Sequence, residues 1–368
     1  VTDALGAARA LLTDRIGDLG DEWDRAGAVP VALLRELGAA GVLCAQLSAE
    51  DGGLGLSSVE NGELTAHLGT LCGSTRSVAT SHGMAAWTIT RIGSRKQRAA
   101  FLPRFTSGEL AAVAFSERGA GSDLSAMDTR IRRDGDDVVV SGEKVWITVA
   151  AYADLIVVFG NYDNGSGDGA AAVVVPTDTP GVEIERVPDP MGCRAAGHAT
   201  VRFTDVRLPA DHLLGAAGAS LSLLVSSALA YGRLSIAWGC VGILRGCRQE
   251  AAAHARSRTQ FGKPLAEHQL VAEHLAELYV AEQVATRVSE HAARCWDDGS
   301  PDQVTAVVLA KHVAATQAAA GAARAVQVLG SAGARDGHPV ARAYRDAKLM
   351  EIIEGSSEIC RVLLAGAA

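Results

Sequence analysis

Near its C-terminal end the chain reads Ile352-Ile353-Glu354-Gly355-Ser356-Ser357-Glu358, an acid set behind two isoleucines and ahead of a glycine. A carboxylate in such surroundings is poorly solvated, and burial raises a glutamate above its solution value of about 4.3. That shift brings the group nearer the working pH, where proton transfer is most efficient, so Glu354 is a candidate general base. A second segment, Ser116-Glu-Arg-Gly-Ala-Gly-Ser-Asp123, is a polar, glycine-rich loop leaving an apolar run. Its backbone N–H groups, made approachable by glycines such as Gly121, and the hydroxyls of Ser116 and Ser122 could approach a ligand closely. The loop lacks the third glycine and the βαβ setting of a dinucleotide fingerprint, so the same residues also fit a plain loop.

Two further segments carry chemistry only in company. Gly142-Glu-Lys-Val-Trp-Ile-Thr148 ends a β-patterned stretch with Trp146 and Thr148 two residues apart, an interval that faces both to one side of a strand. The indole could stack on a flat ring while the hydroxyl bonds its edge, although in isolation a Trp here reads first as a core residue. Arg256-Ser-Arg-Thr-Gln-Phe-Gly-Lys-Pro-Leu-Ala-Glu-His-Gln269 clusters cations, a Phe and a helix break; it suits forked phosphate contacts, and equally an ordinary charged loop. The ten histidines include no HExxH, and His254, His268 and His274 are not joined to a carboxylate motif, so no metal is expected. No GxSxG elbow supports a nucleophilic serine.

These residues need a scaffold, and the periodicity describes one. From Ala4 to about Leu110 apolar residues recur at three and four positions, as in Val31, Leu33, Leu34, Leu37 and Val42, which predicts a helical N-terminal domain over residues 1–110. Between 111 and 214 the pattern changes to β-branched runs at Asp137–Gly142, Ala153–Phe159, Ala170–Pro176 and Thr200–Phe203, a central β domain. The Gly, Asp and Asn of Asn161–Gly169 read as a hairpin loop. Helical spacing returns over 215–368, with segments at Leu221–Arg256, Glu267–Trp296, Pro301–Leu329 and Val340–Ile353 able to bury their stripes as a four-helix bundle. The fold class is mostly α with an inserted β domain.

Composition narrows the partners. The chain has 368 residues, 48% hydrophobic but only 4% aromatic, so its core is built from Ala, Val and Leu, which suits close helix packing. A net charge of −8 with no basic run gives nucleic acid little to bind. The seven cysteines, at 44, 72, 193, 240, 247, 295 and 360, are odd in number and contain no CxxC pair, as expected of reduced, buried thiols in a cytosol. Charged residues interrupt the first helical pattern, unlike a signal peptide, and the apolar window Leu221–Leu234 is short and Ser-rich for a bilayer span. A soluble, cytoplasmic protein with no membrane partner is the expectation.

Taken together and in this order, the segments resemble the acyl-CoA dehydrogenase flavoprotein family from about Leu37 to Leu364. The likeness is carried by AFSERGAGSD at 114–123, SGEKVWIT at 141–148, RTQFGKPLAEHQ at 258–269, QVLGSAG at 327–333 and YRDAKLMEIIEGSSEICR at 344–361. It implies a helical N-terminal domain, a central β-barrel-like domain and a C-terminal four-helix bundle holding FAD between them. By that resemblance Ser116 and Thr148 bond the flavin ring, Trp146 flanks it, and Gly121 and Ser122 meet the cofactor, Ser122 also facing the thioester. Arg258, Phe261, His268 and Gln269, with Gln327, Gly330 and Ser331, are similar to groups that bind the FAD tail from a neighbouring subunit of a homo-oligomer, dimer or tetramer. Ser356 and Glu358 would lie beside the adenosine portion.

The same resemblance makes Glu354 the base, with Arg233 and Gly355 at the substrate. In some family members the base stands on an earlier bundle helix, at the position of Gly232, which here has no side chain. Other departures are Arg118 where a Pro is usual, Ile353 for an aromatic, Val149 for an Asn, and Leu229-Ala-Tyr-Gly232 without the acid that helps CoA-using relatives hold the pantetheine. The segments ARSRTQFG, PMGCRAAGHA, ALAYGR, SHGMAAWT and MEIIEGSSEICR look most like the branch acting on acyl groups carried by an acyl carrier protein, in making hydroxymalonyl or methoxymalonyl polyketide extender units. That implies oxidation of a glyceryl-derived semialdehyde thioester, with the hydride leaving the β-carbon for flavin N5, and makes His198 and Arg118 candidate aids for a polar acyl chain. A general short-chain acyl-CoA dehydrogenase, an oxidase and a non-catalytic relative are the alternatives; the electron acceptor stays open.

Overall fold

A computed structural model describes residues 3–163 and 168–367. The N-terminal part is helical, with α1 (Ala4–Ile16), α2 (Gly20–Ala26), α3 (Val31–Ala39), α4 (Ser58–Leu71), α5 (Gly73–Ile92) and α6 (Arg95–Phe105). Its boundaries are written locally. Ser57 and Glu60 close a capping box on α4, and Ser94 and Gln97 do the same on α6, each satisfying first-turn N–H groups.

The middle of the chain forms an eight-stranded sheet from β1 (Ala111–Ala114), β2 (Arg130–Asp134), β3 (Asp137–Ile147), β4 (Leu155–Asp163), β5 (Asp168–Pro176), β6 (Val182–Arg186), β7 (Ala199–Pro209) and β8 (Leu213–Ala219). The path runs β6-β7-β3-β2-β4-β5-β8, with β1 paired in parallel to β4. The uninterrupted run Leu155–Phe159 has a simple cause: Leu155, Val157 and Phe159 enter one core cluster while Ile156 and Val158 enter another, so both faces of β4 are covered. The strands at β1, β2, β6 and β8 go beyond the four β-branched runs read from the sequence. β2 reads Arg-Ile-Arg-Arg-Asp with only Ile131 fully buried, and so carries no apolar run.

The hairpin expected at Asn161–Gly169 is narrower than that range. Asn161–Asp163 and Asp168–Gly169 are paired strand ends, in register from Asn161–Ala170 to Asp163–Asp168, and the intervening 164–167 lie outside the described residues.

The C-terminal part contains α7 (Leu221–Ser257), α8 (Gln269–Asp297), α9 (Gln303–Leu329), α10 (Pro339–Met350) and α11 (Ser357–Ala365). Small residues set the spacing: a Cβ on Gly242 of α7 would come 2.1 Å from the Ala66 carbonyl oxygen of α4. Within α7, Leu224–Ser257 is long and apolar enough to cross a membrane by length and composition, so the short window read from the sequence understated it. An 18-residue stretch of that helix is 89% buried inside the protein itself, as in the core helix of a bundle. The helix expected to reach Ile353 stops at Met350, and residues 351–355 turn before Ser356 caps α11, its hydroxyl accepting from the Ile359 N–H.

Candidate active site

Glu354 occupies that turn, in the left-handed region with φ 54°, followed by Gly355 at φ 92°. A non-glycine residue there is uncommon and needs support from its surroundings. Arg233 of α7 supplies part of it, its Nε donating to the Glu354 carbonyl oxygen at 2.9 Å, and Lys311 of α9 donates from Nζ to the Gly355 carbonyl oxygen at 2.5 Å. The turn itself is half-buried, but Oε2 of Glu354 is closed to solvent and has no hydrogen-bond partner. Burial lifts the carboxyl to about 7, outweighing the opposing pull of Arg233, Lys311 and Arg76. An acid poised there can accept a proton near neutral pH.

Gly232 is the wall behind the carboxylate. A Cβ placed on it would lie 2.6 Å from Glu354 Oε2 and 2.8 Å from Met84 Sδ, so the missing side chain is the space the carboxylate fills.

Helix α5 joins this pocket to the sheet. Met84 faces Gly232, and three residues earlier on the same face Ser81 donates to the Thr148 carbonyl oxygen at 3.2 Å and accepts from the Val113 N–H at 3.3 Å. Thr148 and Glu354 therefore stand beside adjacent turns of one helix. The strand argument for Trp146 and Thr148 sharing a side does not hold: β3 ends at Ile147, its register slips between Lys144 and Ile147, and Trp146 and Val149 have φ 59° and 74°. A bulged end re-aims side chains in a way that strand alternation cannot describe. His198 lies beside both residues, its Nδ1 3.2 Å from Thr148 Oγ1 and its ring centroid 6.1 Å from that of Trp146. Burial pushes this imidazole down to about 4, leaving it neutral. Arg118, by contrast, is a surface residue whose Nε donates to Glu143 at 2.6 Å.

The loop after β1 is held by a buried ion pair that no sequence pattern singles out. Lys144, fully enclosed, donates to Glu117 at 2.7 Å and to the Phe115 carbonyl oxygen at 2.9 Å. Glu117 also accepts from the Asp128 and Thr129 N–H groups at 2.6 and 3.1 Å, which stitches both ends of the loop to β3. Burial draws Lys144 down to about 8 against the pull of Glu117, while for Glu117 the bonds from Lys144, Thr129 and Asp128 outweigh burial and keep it below the usual range. Both stay charged at neutral pH. Ser116 is half-buried and accepts through its carbonyl from the Val145 N–H at 2.9 Å; Gly121 and Ser122 are exposed.

A flavin ring needs a flat apolar wall, polar groups at its edge and a sheltered base across from it. The indole of Trp146, 56% exposed, lies beside the His198 ring that reaches the Thr148 hydroxyl, and Val145, the residue before it, is tied to Ser116; with α5 leading to Glu354, this set fits the group. The remaining candidates lie elsewhere. Arg258, Phe261, Gln269, Gln327, Gly330 and Ser331 are exposed at the end of the bundle where α7 ends, α8 begins and α9 ends. Phe261 is 96% exposed with φ 52°, its ring 6.1 Å from that of His268, whose Nε2 is 3.1 Å from the Gln260 carbonyl oxygen. From Arg233 to Ser257, α7 climbs roughly 36 Å at 1.5 Å per residue, so this end does not join the Glu354 pocket within one chain. Ser356 and Glu358 open α11 just past the base, Glu358 exposed.

Comparison with known proteins gives matches along nearly the whole chain. Residues 3–109 match the model "Acyl-CoA dehydrogenase, N-terminal domain", 112–206 its middle domain and 223–368 its C-terminal domain. The short-chain specific acyl-CoA dehydrogenase of Homo sapiens mitochondria is 33% identical over 346 residues, covering 93% of this chain and 84% of that protein. Among solved structures, FkbI for biosynthesis of the methoxymalonyl extender unit of the polyketide Fk520 is 63% identical with a TM-score of 0.93, covering 98% of each chain. Butyryl-CoA dehydrogenase from Megasphaera elsdenii is 28% identical with a TM-score of 0.94, covering 100% of this chain and 98% of the other.

Proposed function

The chain belongs to the acyl-CoA dehydrogenase family and is an FAD-dependent oxidoreductase, and from that premise we propose that it oxidises a glyceryl-derived acyl group, carried as a thioester on an acyl carrier protein, toward the hydroxymalonyl level, with Glu354 as base. The observation that carries this reading is the sealed, unpartnered Glu354 Oε2 lodged against the bare Gly232. The substrate class rests on the 63% identity to a protein whose name places it in methoxymalonyl extender-unit biosynthesis.

Bound FAD supplies a two-electron acceptor for a hydride. The chain's own residues do the rest. Trp146 and Thr148 orient the ring, Ser116 and the stitched loop cover it, and Glu354 takes the proton. In a hydrated semialdehyde the third carbon loses its hydrogen with the bonding pair and one proton leaves: loss from a hydroxyl gives the carboxylic acid directly, and loss from the α-carbon gives its ene-diol, which tautomerises to the same acid. The proton removed by Glu354 comes from the hydrate oxygen or from the α-carbon. A rate slowed by α-deuteration would assign it to carbon. Holding the reacting atoms in line is worth several powers of ten in such sites, which is what the braced turn provides.

The set at the far end of the bundle, exposed but for the half-buried His268, supports a homo-oligomer in which Arg258, Phe261, His268, Gln269, Gln327, Gly330 and Ser331 serve the FAD of a neighbouring subunit.

Intact-protein mass spectrometry of an acyl carrier protein loaded with the semialdehyde tests reaction and carrier together. The expected result is a gain of one oxygen's mass with enzyme and none without. A yellow protein that leaves this substrate unchanged and is bleached instead by saturated short-chain CoA thioesters would replace the proposal with a general acyl-CoA dehydrogenase.

A further inference from the structure

Among the described residues Lys311 is a fully enclosed ammonium without an ion pair, in the middle of α9, and its one hydrogen bond is to the Gly355 carbonyl oxygen at 2.5 Å. Burying an unpaired charge is expensive, and burial draws its titration downward. On the same helix Ala310, Ala314 and Ala315 show what the packing alone requires there, namely small apolar groups.

The carbonyl that Lys311 holds belongs to the second of two consecutive left-handed residues, and the first is Glu354. We propose that Lys311 is a positioning residue for Glu354: by fixing the Gly355 carbonyl it keeps the turn in the one conformation that aims the carboxylate at Gly232, and its charge makes the carboxylate easier to ionise. The inference rests on Glu354 being the base.

The groups facing this pair come from every neighbouring element. Arg233 of α7 and Arg76 of α5 add positive charge toward Glu354, and Cys240 of α7 and Cys360 of α11 stand near Lys311. Cys360 Sγ reaches the same Gly355 carbonyl at 3.6 Å, a weak contact beside that of the ammonium. Arg233 holds the preceding carbonyl, that of Glu354 itself. The two cations thus restrain successive peptide groups from two different helices.

The test is anaerobic flavin bleaching by the thioester substrate, followed against pH for wild type, K311M, K311Q and E354Q, all as FAD-loaded protein. Met fills the space without charge or donor, and Gln keeps a donor but no charge. K311M is expected to bleach 10- to 100-fold more slowly, the size of loss that a misplacement of about 1 Å produces, with KM changed far less. Its acid limb should move to higher pH because a cation that favours the carboxylate is gone. K311Q should recover part of the rate while sharing the shifted limb. In the E354Q background, K311M should cost nothing further.

Wild-type rate and limb in K311M would overturn the proposal. So would equal losses in K311M and K311Q with an unmoved limb, which describe packing alone. If K311M does not fold, the limb of K311Q decides in the same sense. An E354Q protein that bleaches at the wild-type rate would instead remove Glu354 as base, a failure separate from that of Lys311.

Discussion

Glu354 makes an identifiable compromise between stability and reactivity. Its carboxyl titrates at about 7 in the folded protein against 4.5 for the ordinary group, a raised value caused by burial. The contribution to stability is therefore fully present below pH 4.5 and is lost as pH rises toward 7. Gln never ionises, so E354Q should melt with wild type at pH 4.5 and be more stable by up to about 3 kcal/mol at pH 8, measured by thermal unfolding of the FAD-loaded proteins. The same variant should keep its yellow colour and lose about 10² to 10⁴ in bleaching rate, and the wild-type rate should fall below pH 7 as the base protonates. G232A is a sharper probe, because its methyl group would stand 2.6 Å from Oε2. We expect a tenfold or greater fall in the pre-steady-state bleaching rate with FAD affinity unchanged.

At the scale of elements, the loop between β1 and β2 depends on one buried pair. K144M strands the Glu117 carboxylate without its partner, a change that costs about 3 to 5 kcal/mol in comparable sites. Melting temperature and FAD affinity should both fall, and E117Q/K144M should regain part of each. Element types were readable from the sequence where burial imposed a period: the helices of the bundle, and β4, which is apolar on both faces. β2 was hidden because three of its five residues are charged arginine side chains flanking a lone Ile131. The end of α10 was hidden for another reason. Leu349–Ile353 continues an apolar pattern, and the left-handed turn that follows it is held by tertiary anchors, Arg233 and Lys311. Glu354 was legible from its apolar flank and from the family blocks. Neither lysine was legible, since a buried lysine looks like any other until its neighbours across the fold are known, and Trp146 and Thr148 were found by a spacing rule that the bulge in β3 breaks.

For the whole molecule, the distance along α7 between the base and the exposed Arg258 cluster makes a prediction about assembly. If each site draws Glu354 from one chain and Arg258 from its neighbour, E354Q and R258A should each be inactive alone, R258A through lost FAD. Co-expressed and purified as mixed oligomers, they should recover a measurable fraction of bleaching activity, because some sites then receive both intact groups. Recovery absent from oligomers shown to be mixed by native mass spectrometry would place both groups in a single chain's site.

Six of the seven cysteines are buried and Cys295 is partly exposed, with Cys44, Cys240 and Cys247 pushed up to about 12 by their apolar surroundings. The chain thereby carries a built-in gauge of its own opening. Iodoacetamide added to the native enzyme should leave little beyond a single adduct, and each additional carbamidomethyl group, mapped by peptide, would date the moment at which a particular helix parted from its neighbours.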